Sequence, residues 1–422
     1  MNFKKTKLAS AVGTAALAMS LSAPANAVVL GGDNGWEVSY TGTINLFYNQ
    51  MQFDLDENGT DPTTNLGLTQ DEDSAHLNEG LLPAFFTFKA KSPTVNGLTG
   101  TAQISFAPDS SSSKHTRNDK GGSAIDMREV FFNVDGSFGT VSLGRTLGLW
   151  SRQAILKDMT LFGVGGFALP DQGGTTLGRI GYGYIYPEFR TRIAYTTPTV
   201  NGFQLSVGIF DPQEPINSGS NTYETNTPQF QGEVTYNTSF SGGGSAALWL
   251  GGIWQDMDSL VFATGDGITS EGLNVGGEIA LSGFDLVGNY YTGSGLGTDF
   301  FAPFTGTGTV GLFGAGGVFC TTTCGAADND GFYIQGTYTF NGKTKVGISY
   351  GQSNQDADTR TNFTFNEVEH NMWTVGIYHD VNSWLKLVAE YNDAEQQAHT
   401  PGGALVSGFS FTGFSVGGFI FW

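Results

Sequence analysis

The sequence predicts an all-β protein, a transmembrane antiparallel β-barrel of about sixteen strands. Apolar and polar residues alternate through one segment after another of about ten residues, the length a tilted strand needs to cross a bilayer's hydrocarbon. The connections between segments alternate between very short and long. Composition is shifted as well, with 62 glycines and 13% aromatic residues in a chain of 422, and 14% charged residues where soluble domains carry about 25%. The hydrophobic fraction is only 39% because one face of each strand suffices for lipid, and closing the barrel pairs the edge groups that lipid cannot.

The first 27 residues read as a secretory signal peptide. Lys4, Lys5 and Lys7 precede a short apolar stretch over 8–21, and Ala25-Asn26-Ala27 is a small-residue cleavage site. The remainder, 28–422, reads as one barrel domain with no linker dividing it. Removing three lysines and no acidic residue takes the net charge from −20 to −23. That acidity argues against nucleic acid as a partner, since phosphate binding needs a basic face. Export to an oxidising compartment makes a loop-closing disulfide the expected state of the two cysteines, Cys320 and Cys324.

In chain order the strands are expected near 36–48, 80–92, 98–106, 125–134, 138–145, 188–197, 203–211, 229–239, 246–257, 271–282, 284–292, 331–340, 343–353, 368–380, 385–393 and 409–422. In the first, Trp36, Val38, Tyr40, Ile44, Leu46 and Tyr48 share one parity, and Glu37, Ser39, Thr41, Thr43 and Asn45 the other. In the second, Leu82, Ala84, Phe86 and Phe88 oppose Thr87, Lys89 and Lys91. The same split recurs from Phe203 to Ile209, from Leu273 to Leu281 and from Phe332 to Phe340. Turn chemistry separates strand pairs: Pro-Thr-Val-Asn-Gly occurs twice, at 93–97 and 198–202, and Ser282-Gly283 and Asn341-Gly342 make tighter turns. Eight longer loops lie between, the third over 146–187. Trp36, Tyr40, Tyr48, Trp249, Trp254, Tyr290, Trp373 and Tyr378 are expected in interfacial girdles.

Two stretches resemble a known family. Arg128-Glu-Val-Phe-Phe132, followed by Phe138-Gly-Thr-Val-Ser-Leu-Gly-Arg145, is similar to the fourth and fifth strands of Gram-negative general porins. Arg192-Ile-Ala-Tyr-Thr-Thr-Pro-Thr-Val-Asn-Gly-Phe203 resembles their next hairpin, and the alternating end at Phe414-Ser-Val-Gly-Gly-Phe-Ile-Phe-Trp422 resembles the strand read by the barrel-assembly machinery. Two features depart from the pattern: Trp422 stands where the family ends in Phe, and the third loop lacks Pro-Glu-Phe-Gly-Gly. The resemblance implies a homotrimer of sixteen-stranded barrels in the bacterial outer membrane, with strands one to five at the interface and the third loop folded inward.

A charged constriction is expected where that loop faces the wall. The scarce basic residues Lys89, Arg128, Arg145, Arg190 and Arg192 fall on strands two, four, five and six, and parity puts Lys89, Arg190 and Arg192 on the polar face. Arg145 shares its parity with Val141 and Leu143, so a place in the lumen requires a bulge or the barrel rim. Asp158 and Asp171 of the third loop are the expected acidic partners, with Arg152 and Lys157 as secondary candidates. Opposed charges create a transverse field that orients polar solutes and rejects apolar ones.

Other constellations are weaker. Asp54, Asp56, Asn58 and Asp61 open like a calcium loop, but the twelfth position is Asn65 instead of the bidentate Glu, leaving calcium at the external loops as the one cofactor to consider. The five histidines lack H-E-x-x-H spacing and there is no nucleophile elbow, so an enzyme is not expected. The reading is therefore a water-filled channel for passive diffusion of small hydrophilic solutes and ions, weakly cation-selective, with outer-membrane lipid and lipopolysaccharide around it. The alternatives are a substrate-selective porin and a non-conducting structural or adhesive barrel.

Overall fold

The computed structural model describes residues 27–55, 72–108, 110, 125–167, 175–212, 223–259, 267–297, 309–310, 318–320, 324–356, 367–399 and 405–422. Among these residues sixteen antiparallel strands form a closed barrel. They are β1 (Glu37–Leu55), β2 (Glu72–Asn78 with Phe85–Lys91), β3 (Thr99–Pro108), β4 (Ile125–Gly136), β5 (Gly139–Leu147), β6 (Phe189–Thr196), β7 (Phe203–Phe210) and β8 (Gln229–Ser239). The ring continues through β9 (Ser245–Ser259), β10 (Gly267–Leu281), β11 (Phe284–Ser294), β12 (Asp328–Phe340), β13 (Thr344–Asp356), β14 (Glu367–Asp380), β15 (Leu385–His399) and β16 (Leu405–Phe421). Each strand pairs with the next, and β1 pairs with both β2 and β16.

The pleat sorts the side chains as the alternation predicts. On β1, Ile44, Leu46 and Tyr48 are exposed outward while Thr43, Asn45 and Asn49 are buried inward. Phe203, Leu205, Val207 and Ile209 on β7 and Leu273, Val275, Ile279 and Leu281 on β10 are likewise exposed. A belt of that kind suits lipid, which needs no polar partner from the protein's outer face. The repeated Val-Asn-Gly turns have positive φ at both central residues, 52° and 78° at Asn96 and Gly97 and 51° and 89° at Asn201 and Gly202, which is the type I′ geometry matched to strand twist. Val95 and Leu98 exchange both backbone hydrogen bonds across the first, at 2.9 and 3.0 Å.

The second strand departs from the continuous segment expected over 80–92. Its Glu72–Asn78 part pairs with the loop-side half of β1 and its Phe85–Lys91 part with the turn-side half, so residues 79–84 leave the wall and turn inward. Leu82 and Ala84, placed outward by the alternation, are each 3% exposed. Asn45 holds the detour: its Nδ2 donates to the Leu82 carbonyl at 2.8 Å and its Oδ1 accepts from the Gly80 N–H at 2.8 Å.

The seam closes on the terminal residue. Trp422 and Gly42 exchange backbone hydrogen bonds at 3.0 and 3.1 Å, and the indole packs on Tyr40 and Phe86 with ring centroids 5.8 and 5.4 Å apart. A Cβ at Gly42 would stand 2.1 Å from that indole, so a terminal tryptophan here requires glycine opposite. Below Trp422, the short strand Val28–Gly31 pairs with β1, Val28 opposite Tyr40.

Candidate functional site

The lumen is shaped by the third loop, which leaves β5 and returns to β6. Its first part forms a short helix, α1 (Arg152–Lys157), and a 3-10 turn (Met159–Phe162). Asp158 joins them: its Oδ1 accepts from the Thr160 N–H at 2.9 Å, and its Oδ2 accepts from the hydroxyls of Thr160 (2.6 Å) and Tyr184 (3.0 Å). The loop then crosses the barrel interior, held by the walls it passes. Gln231 on β8 accepts the Leu149 and Trp150 N–H groups, at 2.7 and 2.9 Å. On β12, Gln335 accepts from Met159 N–H and donates to Lys157 O, and the Tyr333 hydroxyl donates to Ala154 O. On β15, Glu390 accepts from Val164 N–H at 2.9 Å, Gly165 N–H at 2.8 Å and the Tyr378 hydroxyl at 2.6 Å. The detour of β2 forms the last anchor, with Leu81 N–H donating to Gly163 O at 2.9 Å.

Apolar contacts reinforce these anchors. Strands β1, β14, β15 and β16 carry Phe47, Met51, Met372, Val388, Phe411 and Phe419 on the lumen parity, and loop residues Leu161, Val164, Phe167 and Tyr182 join them in one buried cluster. Phe162 meets Phe419 and Phe167 meets Phe411, both edge-on at 5.7 Å. Each such buried side chain contributes about 1.5–3 kcal/mol, enough in sum to hold a loop against a water-facing wall.

The third loop carries bases that dock it on walls beyond β2 to β6: Arg152 pairs with Glu233 on β8, Lys157 pairs with Glu278 on β10, and Arg179 donates to Met372 O and Thr374 Oγ1 on β14, both at 2.9 Å. Burial lowers the Arg179 pKa, and the Asp158 carboxylate opposes that shift. Asp158 is thus buried inside the loop as the cap of its 3-10 turn, 4% exposed, and presents no charge to a basic wall. Asp171 lies outside the described residues.

The wall of β2 to β6 is mixed in sign. Glu129, within the Arg-Glu-Val-Phe-Phe run, is buried and accepts from Gln103 Nε2 (2.7 Å), Ser105 Oγ (2.7 Å) and Thr146 Oγ1 (3.1 Å). Lys89 and Arg192 face the lumen within its electrostatic reach. Arg192 donates to Leu147 O at 2.5 Å and lies over the Phe210 ring at 5.7 Å. Arg128 sits at a bulge, where the β3–β4 register shifts, pairs with Asp126 at 2.9 Å and lies over Phe189. Arg190 pairs with Glu188 at 3.1 Å and donates to Asp211 O at 2.7 Å. Arg145 lies on the outer face and not in the expected constriction: β5 pairs without a register shift, Arg145 lies opposite exposed Val130, and its side chain is exposed.

Glu233, Glu278 and Glu390 dock the loop without being marked by any motif; each is the one carboxylate on the lumen parity of its strand. Of the calcium-like run, Asp54 is the penultimate residue of β1, and Asp56, Asn58 and Asp61 lie outside the described residues.

The sequence matches the Gram-negative porin family over residues 13–399. The fold is similar to the outer membrane channel DcaP of Acinetobacter baumannii, with a TM-score of 0.62 and 13% identity over 93% of this chain and 99% of that one. It is also similar to the anion-selective porin from Comamonas acidovorans, with a TM-score of 0.57 and 15% identity over 92% and 100%. A third neighbour is OmpT, an outer membrane protein of Vibrio cholerae solved in a trimer form, with a TM-score of 0.50 and 15% identity over 92% and 100%. No curated protein sequence matches the chain.

Proposed function

The chain belongs to the Gram-negative porin family and is an outer-membrane channel for small solutes, not an enzyme; from that premise we propose passive diffusion of small hydrophilic solutes and ions through a hydrated lumen narrowed by the third loop. The observation that carries this reading is the polar lumen parity, on which Thr43, Asn133, Ser142, Asn274, Asn392 and Ser415 point inward, opposite the apolar outer belt. An inner face of that composition suits water, as an apolar outer face suits lipid.

Weak cation preference belongs to the same proposal. The processed chain carries −23, and the bases of the third loop are each held by a carboxylate or by wall oxygens. The net field at the mouth then favours cations, and it fades with salt because charges farther than roughly 8 Å are largely screened at physiological ionic strength. Reversal potentials in a KCl gradient are expected to show cation selectivity that weakens as salt rises; anion selectivity in dilute KCl would sink this part of the reading.

We further infer a homotrimer with β1 to β5 at the interface, insertion by the barrel-assembly machinery, lipopolysaccharide around the outer rim and removal of residues 1–27. The disulfide inference gains support from register, since Cys320 and Cys324 are direct partners in the antiparallel pair Val318–Cys320 and Cys324–Ala326. Opposed Cα atoms stand about 4.5–5.5 Å apart in such pairs, inside the span a disulfide bridges. Mass spectrometry of unreduced, alkylated protein should find neither thiol labelled; two alkylated cysteines would refute the bond.

A further inference from the structure

A cleft of about 270 Å³ opens at the turn-side rim between the β8–β9 and β10–β11 connections. Its walls include Asp285 at the start of β11, Thr337 and Thr339 on β12, and Lys345 at the start of β13. Register orders them: Asp285 lies opposite Thr337, and Lys345 lies opposite Thr339, so a carboxylate and an ammonium flank two hydroxyl-bearing residues on the strand between them. The size is slightly under the about 300–1,000 Å³ of pockets for drug-sized ligands, suited to a solute of a few carbons.

The fold leaves bonding capacity open on these polar groups. Thr337 is 5% exposed and its Oγ1 has no partner, and Asp285, whose carboxyl also shares a hydrogen bond with Glu278, keeps its Oδ1 buried without one. Among the described residues no ion pair within 4 Å holds Lys345, although Lys157, near Asp285, is paired with Glu278, and Lys386, near Lys345, is paired with Asp380. A base without an ion pair and an acid with an open oxygen, separated by hydroxyls in a cleft at the mouth, make a dipolar receptor. A cation alone would leave Lys345 unmatched, and an anion alone would leave Asp285 unmatched; a zwitterion matches both, its ammonium toward Asp285 and its carboxylate toward Lys345.

Resting on the channel reading, we propose that this cleft is a binding site for small zwitterions of the amino-acid class, occupied at the periplasmic mouth of the pore. The neighbouring Lys157–Glu278 pair ties the site to the third loop, because Glu278 borders Asp285 and Lys157 ends α1. A bound solute therefore lies beside the foot of the constriction and reduces the ion current.

The test is block of KCl current in planar bilayers by L-serine added to the periplasmic side, with glycerol as a neutral solute of similar size. The wild-type channel is expected to show saturable block by L-serine and none by glycerol. Asp285→Asn, Lys345→Gln and the milder Thr337→Val should each raise the half-blocking concentration, the two charge variants by about tenfold or more because each loses a charge-assisted contact. The exchange variant Asp285→Lys with Lys345→Asp should recover block. Unitary conductance in the same records reports that each variant is inserted and open. Wild-type channels that conduct without saturable L-serine block would overturn the zwitterion site alone, as would single variants blocked like wild type. Wild-type protein that does not conduct at all would overturn the channel reading instead.

Discussion

Replacing Glu390 with alanine is expected to cause the largest loss of stability of any single change in the lumen and to turn steady channel current into noisy current. The carboxyl group is 1% exposed and accepts two loop N–H groups and one hydroxyl, so its removal leaves three buried donors without an acceptor. At about 1–3 kcal/mol for each orphaned group, the cost is of the order of 3–6 kcal/mol after partial relaxation. The temperature at which the folded form converts on a detergent gel should fall, and the loop tip at residues 163–165 should lose its anchor. Glu390→Gln should fall between, because an amide still fills the volume and keeps one acceptor. Gly163→Ala is an independent probe of the same contact, since a Cβ there would come within 1.8 Å of Glu390 Oε1. Unchanged melting and quiet current in Glu390→Ala would mean that the tip is held by its apolar contacts alone.

The second large effect is expected at Arg152. Its pair with Glu233 is nearly enclosed, with side chains 11% and 3% exposed, and Gln153 donates to the same carboxylate at 3.2 Å. Arg152→Gln leaves a buried uncompensated carboxylate, and breaking such a pair costs about 3–5 kcal/mol. The variant should melt earlier and show stronger cation selectivity, whereas Arg152→Gln combined with Glu233→Gln should recover much of the stability and lose the added selectivity. A reversal potential that does not move in the single variant would place this pair away from the ion path.

The contrast between these two sites and the barrel shows what the sequence makes legible. Strand positions follow from a period of two and from turns whose residues demand positive φ, such as Asn96-Gly97 and Asn201-Gly202. Those signals are local, and they place all sixteen strands near their observed ranges. The same period conceals the detour of β2, because Leu82 and Ala84 stay in phase with Phe86 and Phe88 although the backbone has left the wall. The constriction is not legible because its contacts join residues far apart in the chain: 81 positions for Arg152 and Glu233, 121 for Lys157 and Glu278, and 226 for Val164 and Glu390. Composition counts the bases but does not assign their partners, so it suggests an acidic loop when the loop's bases are what dock it. Arg145 falls the other way, since its outward parity is readable and the unshifted register of β5 obeys it.

Lumen-facing apolar residues leave a further trace in the sequence. Phe47, Met51, Phe411 and Phe419 are large side chains on a parity that faces water in an open channel, and they are buried under the third loop. Apolar residues on the lumen face of a barrel strand thus mark where an inward loop rests; in this chain they lie on β1 and β14 to β16 and, as Trp249, Val287 and Tyr333, on β9, β11 and β12, so Trp249 and Tyr378 face the lumen and not the girdles.

The barrel is expected to enclose a continuous aqueous path past an anchored loop, one path in each subunit of the proposed trimer. Single-channel recording in planar bilayers tests it most directly: insertion of purified protein should produce ohmic current steps arriving in groups of three, steady at moderate voltage and larger or noisier in Glu390→Ala. Folded, inserted protein that passes no current, in wild type and in Glu390→Ala alike, would contradict it.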